Sequence, residues 1–109
     1  MAAAGHITNN GGIMPKAYWV AHVTVTDSET YKKYVEASGP AFAKYNANPL
    51  ARGGRTEQLE GNGRPRNVVI EFESMDQALA CYNSPEYQAA KVHRVAAGIA
   101  DVIIVEGAE

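Results

Sequence analysis

Cysteine is nearly absent from this chain. Cys81 stands alone in 109 residues, which excludes an internal disulfide framework and a cysteine-based zinc site, and fits a reducing compartment. No apolar run approaches the ~18 residues that a membrane helix requires. Neither sign of charge is in excess. A formal net charge of -2 leaves no electrostatic footprint for nucleic acid, and the only dense basic run, Arg64-Pro65-Arg66, is short and falls in a predicted turn. A phosphate loop is missing too: Arg52-Gly53-Gly54 lacks the following Lys-Ser/Thr and a helix start. The three histidines, His6, His22 and His93, show no metal-ligand spacing, and no Ser-His-Asp arrangement can be assembled. What remains is a cytoplasmic protein without metal, cofactor, nucleic-acid or membrane partner.

What is present is ordinary in bulk and informative in pattern. An apolar content of 46% with 20% charged residues is that of a globular domain, and 109 residues make one such domain, burying about two-thirds of its unfolded surface. Residues 1–13 differ from the rest: small residues, two Asn and three Gly, with neither the charged start nor the apolar middle of a secretory signal. They read as a flexible leader ahead of Met14, with the fold in residues 14–109.

Alternation over Ala17 to Thr26 predicts a first strand with Trp19, Ala21, Val23 and Val25 on one face and Tyr18, Val20, His22 and Thr24 on the other. Asp27 sits where a helix N-cap belongs. Tyr31, Tyr34, Val35, Phe42 and Tyr45 then follow at helical spacing, with a kink or break expected at Gly39-Pro40. Leu50 to Glu60 reads as the second strand, weakened at Gly53-Gly54, and Gly61-Asn62-Gly63 begins a hairpin loop to the third strand, Arg66 to Glu73. Ser74 with Gln77 makes a capping box for a second helix whose inner stripe is Met75, Ala78, Leu79 and Tyr82. Ser84-Pro85 restarts the helix as far as about Ala97, and Asp101 to Glu106 is the last strand.

The order is βαββαβ. Two right-handed crossovers with a hairpin between them give a ferredoxin-like α+β fold, an antiparallel four-stranded sheet with its helices on one face. The other sheet face, with Tyr18, Val20, His22, Thr24, Asn67, Val69 and Glu71, is half apolar. A face-to-face homodimer enclosing a semi-polar cavity accounts for it.

Several residues in order carry a family resemblance: Tyr18, Val25-Thr26-Asp27 leading to Tyr31 and Tyr34, Arg52-Gly53-Gly54, Glu60-Gly61, Arg66 to Phe72, Tyr82, and Ser84-Pro85-Glu86-Tyr87-Gln88 with Arg94. The chain resembles the domain of unknown function 1330 family of the dimeric α+β barrel superfamily, from about Lys16 to Gly107. Ser28 departs from the proline frequent after the capping aspartate, and Cys81 from a frequent tryptophan. The resemblance implies a ferredoxin-like subunit pairing into a barrel-like dimer. It implies no agreed activity, since the superfamily includes cofactor-independent monooxygenases, muconolactone isomerases, haem-dependent enzymes and binding modules.

The candidate chemistry rests on seven residues. If the first and third strands pair with Ala21 near Ile70 or Phe72, His22 and Glu71 share the semi-polar face, and a carboxylate orienting an imidazole is a general-base arrangement. Arg52 beside two glycines offers donors to a carboxylate or enolate, or else locks the strand by pairing with Glu57, Glu60 or Glu86. Tyr82 and Tyr87 flank the helix restart, where their hydroxyls line a pocket or pack in the core. Arg94 lies two helical turns after Tyr87 and addresses the same region, and Tyr18 opens the semi-polar face. Two functions follow: a cofactor-independent isomerase- or monooxygenase-like enzyme acting on a small carbonyl- or carboxylate-bearing molecule, or a non-catalytic dimer that binds a small molecule or serves a structural role.

Overall fold

A computed structural model describes residues 15–108, and the expected leader at 1–13 lies outside them. Strand β1 (Ala17–Val25) keeps the period-two pattern: Ala17, Trp19, Ala21 and Val23 are buried, while the residues between them turn to the opposite face. Asp27 ends the strand and caps helix α1 (Ser28–Lys44), its carboxylate accepting from the Thr30 amide at 3.1 Å. Of the kink or break expected at Gly39-Pro40, the break does not occur: one helix runs through both residues. Tyr31 and Tyr34 before the proline and Ala41 after it are all buried, so tertiary packing offsets the hydrogen bond that Pro40 cannot donate.

Strand β2 (Asn48–Arg52) is shorter and earlier than the expected Leu50–Glu60. Its register against β3 (Arg66–Phe72) shifts between Pro49 and Ala51. At Gly53 the backbone then takes φ +74°, a left-handed conformation that glycine adopts without steric cost. Residues 53–65 therefore form a connecting segment, with Gly61 at φ +78° on its far side.

Ser74 caps α2 (Met75–Tyr82) by accepting from the Gln77 amide. The expected box is only half made, because the Gln77 side chain donates instead to the Tyr45 carbonyl at 2.6 Å and ties α2 to the end of α1. The inner stripe of α2 is Ala78 and Cys81, with Met75 and Tyr82 packed against the core beside them, whereas Leu79 is exposed. Ser84 accepts from the Tyr87 amide to start α3 (Pro85–Ala97), and β4 (Gly98–Glu106) begins three residues earlier than expected, at Gly98 opposite Val25.

The sheet order is β2-β3-β1-β4, antiparallel throughout, the ferredoxin-like arrangement. Trp19 organises the core under the helices. Its ring meets Phe42 and Tyr87 edge-on at 5.1 and 4.9 Å, with Tyr82 and Phe72 at 5.6 and 6.0 Å. Truncating such a buried aromatic costs roughly 3–5 kcal/mol, so the cluster fixes where α1 and α3 sit on the sheet. The opposite sheet face carries no helix, and on β4 it leaves Ile99, Ile103 and Val105 about half exposed.

Candidate functional site

Helix α1 packs chiefly on α3, and this leaves a gap over the short edge strand β2. There, between α1 and the inner face of the sheet, lies a cavity of about 270 Å³. Trp19, Phe42, Val68 and Ile70 form apolar wall. The rim carries Val35, Gly39 and Ala43 from one side of α1 and Pro49 and Arg52 from β2, all exposed. Gly39 stands on α1 four residues from each of the other two, and a Cβ there would meet nothing within 4 Å.

The polar lining is narrow in kind. It consists of Tyr31, Tyr34, Ser38, Arg52, Arg66 and Arg94, and no Asp, Glu, His or Lys lines the cavity among the described residues. Tyr34 and Tyr87 join hydroxyls at 2.8 Å between α1 and α3, and Arg94 Nε donates to the Tyr87 oxygen at 3.3 Å. Burial pushes the Tyr34 phenol far above its ordinary pKa, and the adjacent Tyr87 adds to this. Tyr87 is raised as well, by burial, against the lowering effect of its bonds to Tyr34 and Arg94. Both phenols are therefore neutral donors and not bases. Burial opposes the charge on Arg94 most strongly, but the oxygens of Tyr87, Tyr34 and Tyr82 outweigh it and raise its pKa.

Arg66 Nε donates to the Tyr31 hydroxyl at 3.1 Å, and its guanidinium lies 5.2 Å over that ring. The guanidinium also occupies the space that a Cβ at Gly53 would need. Glycines inside a strand mark a bulge or a close backbone approach, and at Gly53 the approach is made by an arginine of the same chain.

The seven sequence candidates divide four ways. Arg52 and Arg94 line the cavity. Arg52 makes no ion pair among the described residues; Glu57 faces Arg55 and Glu86 pairs with Lys44. Tyr87 stands one hydrogen bond behind the cavity, through Tyr34. Tyr82 packs on Trp19, with its hydroxyl accepting from Lys91 Nζ at 3.3 Å, and does not line the cavity.

His22, Glu71 and Tyr18 share the open sheet face, but His22 and Glu71 do not form the expected pair. The register sets Ala21 opposite Val68, His22 opposite Asn67 and Tyr18 opposite Glu71. Four strand residues, about 13 Å, separate the imidazole's position from the carboxylate's. His22 Nδ1 donates to Asn67 Oδ1 at 2.6 Å. Glu71 accepts from Asn48 at 3.2 Å and Tyr18 at 3.3 Å and faces Lys16 at 3.6 Å. These contacts, the Asn48 amide first, hold its carboxyl below the usual range. Each has partners of its own and neither orients the other.

A family model described as Domain of unknown function (DUF1330) matches residues 16–108. The chain belongs to this family. No curated protein matches the DUF1330 chain. Among solved structures it is similar to a protein of unknown function from Rhodopseudomonas palustris, with 19% identity over 87% of this chain and 84% of that one and a TM-score of 0.72. It is similar to SnoaB, a cofactor-independent oxygenase from Streptomyces nogalater, with 10% identity over 87% and 95% of the two chains and a TM-score of 0.64. A dimeric ferredoxin-like protein of unknown function from Bacteroides fragilis shares 14% identity over 84% and 96%, with a TM-score of 0.58. At these identities the likeness is one of fold.

Sequence reasoning missed Tyr31, Tyr34, Ser38 and Arg66 as site residues of this DUF1330 chain. For Arg66 a signal was present. Counting back by two from Phe72, Ile70 and Val68 on the inner face of β3 reaches Arg66, an arginine directed inward. Among the described residues no group of three His, Cys, Asp or Glu is placed to hold a metal, and no helix is long and apolar enough to cross a membrane.

Proposed function

We propose that the protein is a cytoplasmic homodimer that binds a small, largely apolar, carbonyl- or carboxylate-bearing molecule in the cavity between α1 and the sheet. One observation supports this above others: a cavity of about 270 Å³ with apolar walls and a few polar groups, open beside an edge strand. Its volume falls just under the ~300–1,000 Å³ of drug-sized ligand sites, so the ligand is a small metabolite. The lining favours binding over proton transfer. A general base working near neutral pH needs an imidazole or a carboxylate, and the cavity offers only phenols, a serine and guanidinium groups.

A second reading, a cofactor-independent enzyme of the isomerase or monooxygenase kind, has support from the same donors. Tyr34 and the arginines suit stabilisation of an enolate formed on a substrate that carries its own acidity. The fold shared with SnoaB, described as a cofactor-independent oxygenase, agrees with it. Pairing of two subunits through the open sheet face is part of the proposal, supported by the half-exposed Ile99, Ile103 and Val105 and by the dimeric B. fragilis protein.

Crystals soaked with a mixture of small keto and carboxylic acids test the site. Density is expected between α1 and β2–β3 in the parent protein and absent from Ala43→Trp, which plugs the exposed rim. Density only on the open sheet face, unaffected by Ala43→Trp, would move the site there and return His22 and Glu71 to the reaction.

A further inference from the structure

We infer that Arg94, Arg66 and Arg52 form an anion subsite inside this cavity, and that the ligand is an organic carboxylate with a small apolar body. The inference rests on the cavity being the ligand site and adds the charge of the ligand and the groups that read it.

The observation is a sorting of arginines. The chain has five. Arg55 and Arg64 face carboxylates, those of Glu57 and Asp101 at 4.0 and 2.9 Å. The other three make no ion pair among the described residues, and they are the three that line the cavity. The chain carries twelve acidic residues, so carboxylates are plentiful, yet none lines this space among the described residues.

Arg94 makes the case sharpest. It is 9% exposed, and burying a guanidinium without a carboxylate is costly unless its charge is answered. Its Nε is used on Tyr87 and its guanidinium carbon lies 5.8 Å from the centre of the Tyr34 ring. Its terminal nitrogens make no hydrogen bond to the protein among the described residues, and no polar side-chain atom there is fully buried and unsatisfied. Those nitrogens therefore retain access to the cavity.

A cation–π contact and one Nε hydrogen bond leave the terminal N–H fork of a guanidinium unspent, and that fork matches a carboxylate. Arg66 is held in the same way, its Nε on the Tyr31 hydroxyl and its guanidinium carbon 5.2 Å from the centre of that ring. Arg52 stands at the rim, exposed. Arg66 is half-buried and Arg94 buried, so the three lining arginines differ in exposure to solvent. Three like charges around one apolar space repel each other, and a monoanion inside offsets that repulsion. The small apolar volume left over takes a ring or short branched chain, and among the described residues no acidic side chain lines the cavity to receive a cationic group.

Trp19 is the sole tryptophan and lines the cavity, so its fluorescence reports occupancy directly. The full chain is titrated at pH 7 with cyclohexanecarboxylate and with cyclohexylmethanol, which differ in charge and hardly in shape. The acid is expected to bind at least about tenfold more tightly, the ratio set by one charge-assisted hydrogen bond. Arg94→Met should reduce that preference several-fold while leaving alcohol binding in place. Arg52→Gln, at an exposed side chain with no ion pair among the described residues, serves as a second variant should Arg94→Met not fold, and should reduce acid affinity about threefold or more. Equal saturable binding of acid and alcohol overturns the anion subsite and leaves the apolar site standing. A Trp19 signal unmoved by either compound overturns the cavity as ligand site and the subsite with it.

Discussion

Gly53 combines two constraints at one residue. Its φ of +74° lies in the left-handed region, and the Arg66 guanidinium fills the place of a Cβ. Gly61, at φ +78°, has the same backbone requirement but open space around it. Gly53→Ala and Gly61→Ala should therefore each lose on the order of 1–2 kcal/mol in urea denaturation, the cost of a left-handed alanine. Only Gly53→Ala should also weaken carboxylate binding, because only there must Arg66 move. Equal effects of the two alanines on binding would dissociate Arg66 from Gly53. This coupling was half legible. The glycine pair marked a close approach in the chain, but the identity of the approaching group depends on which residue of β3 lies across from it. Only the register supplies that. The same limit explains His22 and Glu71: alternation places both on one face, while the shift between strands, set by packing of the whole inner layer, keeps them apart.

At the scale of elements, the helix layer is joined by groups that must stay protonated. Tyr34 of α1 meets Tyr87 of α3, and the Cys81 thiol of α2 lies 3.8 Å from the Ala41 carbonyl of α1. Burial pushes the Cys81 pKa up to about 11 from 9.0. A thiol with a folded pKa above its unfolded value holds more protons when folded. Its contribution is complete below pH 9 and is lost as pH rises toward 11, on the order of 3 kcal/mol in all. The melting temperature should be flat from pH 7 to 8.5 and then fall across that window. Cys81→Ala, less stable at neutral pH, should show a shallower fall, the remainder belonging to Tyr34 and Tyr87. An identical slope in the variant would place the alkaline transition elsewhere. Element order, capping by Asp27, Ser74 and Ser84, and both faces of β1 were legible because each is written in neighbouring residues. The length of β2 and the continuity of α1 were not. The first depends on how Gly53 is packed, and the second on buried contacts either side of Pro40 that outweigh its local preference.

For the whole molecule, the two sheet faces have opposite needs. The inner face is covered by helices and holds the cavity, while the outer face aligns Val20 with Ile103 and Tyr18 with Val105 across β1 and β4. Ile99, Ile103 and Val105, at 55, 57 and 47% exposure, make a stripe that a second copy of the same face can cover, since a two-fold axis sets identical patches against each other. Val92, at 65% exposure on the outside of α3, is the matched control: just as apolar and exposed, but on the helix layer. In light scattering, Ile103→Glu is expected to halve the mass of the parent protein, and Val92→Glu to leave it unchanged. A carboxylate at Ile103 would face its own symmetry mate, or a neighbour of it, in a desolvated interface, where like charges cost several kcal/mol. The reverse outcome, a monomer with Val92→Glu and a dimer with Ile103→Glu, would assign assembly to the helices. Pairing through the sheet leaves the cavity mouth between α1 and β2 on the outside of the dimer, so carboxylate binding by Trp19 fluorescence should survive in the Ile103→Glu monomer. Loss of binding on dissociation would mean that the partner subunit completes the site.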